Sequence, residues 1–281
     1  MEVVEEDLHF YIDYAPPEDV YKTLKCLSAS YPMSTTKVFD TLEDQGMPVR
    51  SRRTETLRRL FDLGLANQSR DTQAVISYTL NDLGIKLCEI DNFESELVPD
   101  LLHYLHYSSY NYQNPESRKY LWSYRQCSII AWHRGRLAAP KEMAAEIQSL
   151  MMEEFKHLDF TARIGARFDS TAVNRWKNWV DNLSPPPFNN KGSLERRQSA
   201  HYELAALALD DLYRHRHYRY GDPVIIDETL LDELSRIFFL DPVCCRELLD
   251  LAARLISDIK LADTFAGTSV TLMAPYTIER I

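Results

Sequence analysis

Glycine is scarce in this chain, eight of 281 residues, and long periodic apolar segments take its place. The expected class is therefore mainly α, with a few short strands. No stretch approaches the length and apolarity of a membrane span, so no membrane partner is expected. Met1 to Asp7 is acidic rather than basic-then-apolar, the opposite of a secretion signal, and the expected location is the cytoplasm. The five cysteines, Cys26, Cys88, Cys127, Cys244 and Cys245, contain no CxxC spacing and fall mostly in helical apolar stripes, as reduced core residues do.

Catalytic and metal signatures are missing too. There is no GxSxG, Walker loop, HExxH or Rossmann fingerprint. Neighbouring side chains such as Cys244 and Cys245 diverge on a helix, and His215 and His217, two apart, point to different faces. Asp222, Asp227 and Glu228 lack the lysine that follows the second carboxylate in metal-dependent nucleases, and Glu228 suits the first turn of a helix. The expectation is a protein that is not an enzyme and needs no cofactor or metal.

Net positive charge is also lacking. The formal charge is −10, so long-range attraction to a nucleic acid is weak and any such binding must come from local basic patches. The acidity is uneven. Met1 to Asp19 has no Lys or Arg, and Asp222 to Asp263 is strongly acidic; these regions suit solvent or protein partners.

What is present is an ordered set of element signals from residue 17 to 90. A first helix is expected from about Pro17 to Ser30, with Val20, Leu24 and Leu27 at helical spacing and Pro32 stopping it. Ser34 caps a second, to about Glu43, which carries Val38, Phe39 and Leu42 inward and ends near Gly46 and Pro48. A third runs from Ser51 or Arg52 to Leu63. Its inner stripe is Leu57, Leu60 and Phe61; Arg52, Arg53, Glu55, Thr56 and Arg59 face outward. Gly64 ends it, Leu65 to Ser69 forms a strand, Arg70-Asp71-Thr72 a turn, and Ala74 to Leu80 a second strand. Asn81-Asp82 then caps a helix through Leu83, Ile85, Leu87 and Ile90.

Helix, helix, helix, hairpin, helix resembles the winged helix-turn-helix superfamily, and Tyr78-Thr79-Leu80-Asn81-Asp82-Leu83-Gly84 is similar to its strand-to-helix junction. The resemblance implies a third helix lying in the major groove of double-stranded DNA and a wing meeting the backbone. Arginines concentrate there, at Arg50, Arg52, Arg53, Arg58, Arg59 and Arg70. The same fold also serves as a protein docking module, so a protein-interaction scaffold is the alternative.

Beyond the hairpin, Glu96 to His133 is aromatic-rich, with Tyr104, Tyr107, Tyr110, Tyr120, Trp122, Tyr124 and Trp132 among leucines at helical spacing. Core packing is favoured over a base-stacking platform. A second helix-turn-helix is expected between Leu137 and Phe188: a helix opened by Pro140, a short segment from Phe160 to Phe168, and a helix capped by Asp169-Ser170. Arg163, Arg167, Arg175, Lys177 and Asn178 make that last helix locally basic. Ser184-Pro185-Pro186-Pro187 cannot continue a helix and marks a linker. Three domains are expected, 1–95, 96–188 and 189–281, the last acidic and suited to a protein partner or self-association. His215-Arg216-His217-Tyr218-Arg219-Tyr220 interrupts its first helix as a basic, aromatic cluster, either a contact for phosphate or partner or a partly exposed helix end.

Leu101 to Ser108, Trp122 to Arg125 and Gly267 to Leu272 resemble segments of uncharacterised winged-helix proteins encoded in bacterial phage-defence gene clusters. That resemblance implies a DNA-recognition or scaffolding subunit working beside a nuclease or ATPase. The candidate DNA-binding residues are Arg50, Arg52, Arg53, Thr56, Arg59 and Arg70 in the first module and Arg175 and Lys177 in the second basic patch.

Overall fold

The computed structural model describes residues 9–47, 53–72, 74–111, 114, 117–156, 167–265 and 267–281. Among them the chain is mainly α, eleven helices with two small antiparallel sheets. The first helix, α1 (Pro17–Cys26), begins at a proline whose missing N–H costs nothing in a first turn. It stops earlier than Pro32 requires, because Leu27 turns extended and the Ser28 carbonyl accepts from the Leu80 N–H at 3.0 Å. A two-residue strand, β1 (Met33–Ser34), follows, unforeseen because so short a strand leaves no alternation in sequence. In α2 (Thr35–Asp44) Ser34 accepts from the Lys37 N–H, and beyond it Gly46 takes φ +69° while Met47 N–H returns to Leu42. Next come α3 (Arg53–Asp62), β2 (Ala66–Arg70), β3 (Ile76–Leu80) and α4 (Asp82–Phe93). The sheet order is β1-β3-β2, with Arg70 opposite Ile76. Arg70, expected in the turn, is thus the last residue of the strand.

The corner between α3 and α4 is tightly fixed. Asn81 caps α4 by accepting from Gly84 N–H at 3.0 Å and donates from Nδ2 to the Gly64 carbonyl at 2.6 Å. Gly84 lies so close to the backbone that a Cβ there would sit 2.1 Å from the Leu65 oxygen. Only glycine fits.

Helix α5 (Leu97–Ser108) is buried on every side. Around it pack α6 (Lys119–Arg134), α8 (Ser170–Val180), α9 (Tyr202–His215) and α10 (Glu228–Phe238), with α7 (Pro140–Glu154) against α6 and α8 and α11 (Pro242–Leu255) against α9 and α10. The second sheet, order β4-β6-β5, joins Pro223–Ile225, Ile259–Thr264 and Gly267–Leu272. The aromatic-rich segment supplies core, as expected: Tyr107, Tyr120, Trp122 and Tyr124 are fully buried, and Trp176 Nε1 donates to Ser128 Oγ at 3.0 Å.

Two polar anchors stand inside this core. Arg197, 1% exposed, forks onto Asp100 of α5 at 2.9 and 2.7 Å and donates to the carbonyls of Phe238 and Ser184. His103 places Nε2 2.7 Å from the Ile237 carbonyl and Nδ1 2.7 Å from the Tyr124 hydroxyl. The carbonyl only accepts, so Nε2 carries the proton and Nδ1 accepts from tyrosine. Burial first, with Arg197 adding to it, lowers the His103 pKa to about 4, and the ring is neutral. One continuous set of buried residues runs from Phe10 to Ile278 through all three sequence segments.

Candidate nucleic-acid interface

In the N-terminal module one arc of α3 and the polar run of β2 lie at the surface. On α3, Thr54, Arg58 and Phe61 face solvent, and on β2 Asn67, Gln68, Ser69 and Arg70 do so in sequence. Asp71 closes the hairpin by accepting from Val75 N–H at 2.9 Å. Arg58 has 45% of its side chain exposed, with Nε 3.6 Å from Asp62 Oδ2. Asp62 is held more closely by Arg118, at 3.1 Å. Burial raises the Asp62 pKa, opposed by Arg59, Arg118 and Arg58.

Of the sequence candidates, Arg50 and Arg52 lie outside the described residues, and of Arg53 only the backbone, which opens α3, is described. Thr56 and Arg59 are corrected by the structure: they are 0% and 3% exposed and do not face outward. The reason is the position of α6. Its Tyr120 receives the Arg59 guanidinium 3.9 Å above its ring and covers that flank. The buried arc of α3 is thereby turned toward Thr56 and Arg59. Phe61, expected inside, is 38% exposed. Arg58, absent from the candidate set, is the described arginine of α3 that reaches solvent; its i,i+4 partner Asp62 was the available signal. Arg70 is exposed as expected.

The second basic patch is occupied in part. Arg175 is partly buried, donates from Nη1 to the Ile12 carbonyl at 3.1 Å and lies 4.9 Å over the Tyr11 ring, which fastens the amino-terminal segment to α8. Lys177 pairs with Asp181 one turn on. Arg175 is therefore corrected from an open phosphate-binding surface to a contact within the fold, while Lys177 keeps 40% of its side chain exposed. Phe160 to Ala166, including Arg163, lies outside the described residues. Among the described residues no three His, Cys, Asp or Glu side chains gather as metal ligands, and no helix is long and apolar enough to cross a membrane.

The arrangement defines a mainly helical protein with two small three-stranded antiparallel sheets. No protein-family model matches the chain, and no curated protein does. Its fold is similar to solved structures of SspB. One matches with TM-score 0.60 at 13% identity, covering 95% of this chain and 86% of that one. A magnesium ion-bound SspB structure matches with TM-score 0.61 at 12% identity, covering 98% and 88%. At that identity the likeness shows the fold.

Proposed function

We propose that this protein is a non-enzymatic DNA-binding subunit of a bacterial phage-defence system, and that residues 17–93 act as a winged helix-turn-helix. The observation that carries the DNA reading is the polar row of β2 running out to Arg70 beside α3, whose solvent arc presents Arg58. Cationic side chains at a helix face and a hairpin tip are what groove and backbone contacts require. The defence setting rests on the sequence resemblance; the whole-chain likeness to SspB supplies a shared fold. The test is fluorescence anisotropy on duplex DNA at rising salt. Binding that falls steeply with salt, and that weakens in Arg58→Glu with Arg70→Glu, upholds the reading; salt-insensitive or absent binding overturns it.

Phe61 and Val75 favour a second reading. They are 38% and 42% exposed on the same module, and such apolar exposure suits a protein partner. Under it the module is a docking face, and the same double charge reversal leaves assembly with the partner intact.

A further inference from the structure

A second candidate site lies away from the hairpin, where α5, α6, α9 and α10 enclose a polar cavity of about 320 Å³. Its polar lining comes from Tyr107, Arg125, Asp211, His215, Arg216, Glu233 and Arg236. We propose that this cavity binds a phosphate monoester group, through the Tyr107 hydroxyl and the guanidinium groups of Arg125 and Arg236.

Three observations converge. First, polar atoms in the lining are buried without a partner. The Tyr107 hydroxyl and the Arg236 Nε have no hydrogen bond, although Tyr107 is fully buried. A buried polar atom left dry is unfavourable, and a ligand with acceptor oxygens in the cavity would satisfy both. Second, the positive charge there is incompletely cancelled. Arg236 makes no ion pair among the described residues. Arg216 takes Glu233. Asp211 lies 3.9 Å from Arg125 and 3.2 Å from His215 Nδ1, and also 3.4 Å from Arg214, outside the cavity, which Asp210 holds more closely at 2.9 Å. Three arginines therefore face two carboxylates, one of them divided, within a chain of net charge −10.

Third, the near-buried Arg125 is held by a neutral group. His215 Nδ1 lies 2.8 Å from the Asp211 carbonyl, which only accepts, so Nδ1 carries the proton. The Nε2 lone pair is then what accepts from Arg125 Nη1. The imidazole thus aims the guanidinium without neutralising it, and the ring of Tyr107, 4.8 Å away, flanks it. Planar guanidinium donors with a hydroxyl match the oxygens of a phosphate. A terminal phosphate suits an enclosed cavity, since an internal diester must lead two chains out of it. Water fills polar cavities as well, but it does not account for the surplus cation.

This site is independent of the DNA reading for residues 17–93. The full chain is titrated calorimetrically with inorganic phosphate, a nucleoside 5′-monophosphate, the matching nucleoside, and a short single strand with and without a 5′-phosphate, at constant ionic strength set with chloride. The expected result is binding by every phosphate-bearing probe and none by its phosphate-free counterpart. Tighter binding of the mononucleotide than of the strand identifies a free nucleotide as the source; the reverse identifies a nucleic-acid end. Tyr107→Phe, which removes one oxygen, and Arg236→Gln, which breaks no ion pair, are each expected to weaken binding about tenfold with unchanged melting in chloride. Phosphorus NMR line broadening of phosphate by the wild-type chain supplies a check that no variant enters. Absence of phosphate binding over chloride, or unchanged affinity in both variants, overturns the proposal, and neither result touches salt-sensitive duplex binding at the hairpin.

Discussion

Single residues separate contacts made with a ligand from contacts made within the fold. Arg70→Ala should weaken every duplex alike, by a few-fold, and reduce the salt slope by about one, because a residue at a hairpin end meets phosphate rather than bases. Arg59→Ala should act differently. Its guanidinium lies over Tyr120 inside the protein, so the loss is expected in stability, roughly 2–3 kcal/mol by chemical denaturation, with the salt slope unchanged. The pairing of Thr56 and Arg59 with the interior was not legible in sequence. Leu57, Leu60 and Leu63 fix only the middle of a buried arc, and which flank is covered depends on α6, some sixty positions later in the chain. His103 was equally hidden: nothing beside it in sequence announces the Ile237 carbonyl. Its chemistry has a pH consequence. The folded ring takes a proton only near pH 4, whereas the unfolded one does so near 6.5, so the unfolded state binds more protons between those values. Stability from this residue is whole above about pH 6.5 and is lost as pH falls, by about 3 kcal/mol at pH 4. Melting temperature recorded from pH 7 to 4 should fall accordingly. His106, whose pKa burial holds well below the usual value, acts in the same direction.

At the scale of elements, the junction from β3 into α4 is the most demanding local geometry in the N-terminal module. Gly84→Ala should destabilise the chain by roughly 1–3 kcal/mol, since the added methyl meets backbone oxygen and not a movable side chain. Urea denaturation measures it, and Asn81→Ala should cost about 1 kcal/mol through the lost cap. This junction was visible in sequence because capping and hairpin signals are local: Asn81, Asp82 and Gly84 stand within four positions. The same locality explains why Ser34 and Asp169 each cap the helix expected of them. It also explains the strands that sequence did not announce. Ile259–Thr264 is read only when paired with Gly267–Leu272, and alternation over so short a span is weak. Arg175 failed as an exposed base for a related reason, its partner at Ile12 being far off in the chain.

For the whole molecule, the question is what the Pro185-Pro186-Pro187 segment separates. Asp100 is on one side of it and Arg197 on the other, fully buried together, and the His103 ring reaches across to Ile237. A fragment of residues 1–183 would leave a buried carboxylate without its cation, a loss of roughly 3–5 kcal/mol before any exposed apolar surface is counted. We expect that fragment to aggregate when the full chain does not, as light scattering would show, and Arg197→Ala to lower the stability of the full chain by a similar amount. The continuous core has a further consequence for how ligands are detected. When hairpin, central helices and carboxy-terminal sheet unfold as one unit, any ligand that prefers the native chain delays the melting of all of it, by RT ln(1 + [L]/Kd). Tryptophan fluorescence from the buried Trp122 and Trp176 would then report duplex at the hairpin and phosphate in the cavity on a single curve, and for two sites without mutual influence the two stabilisations would add.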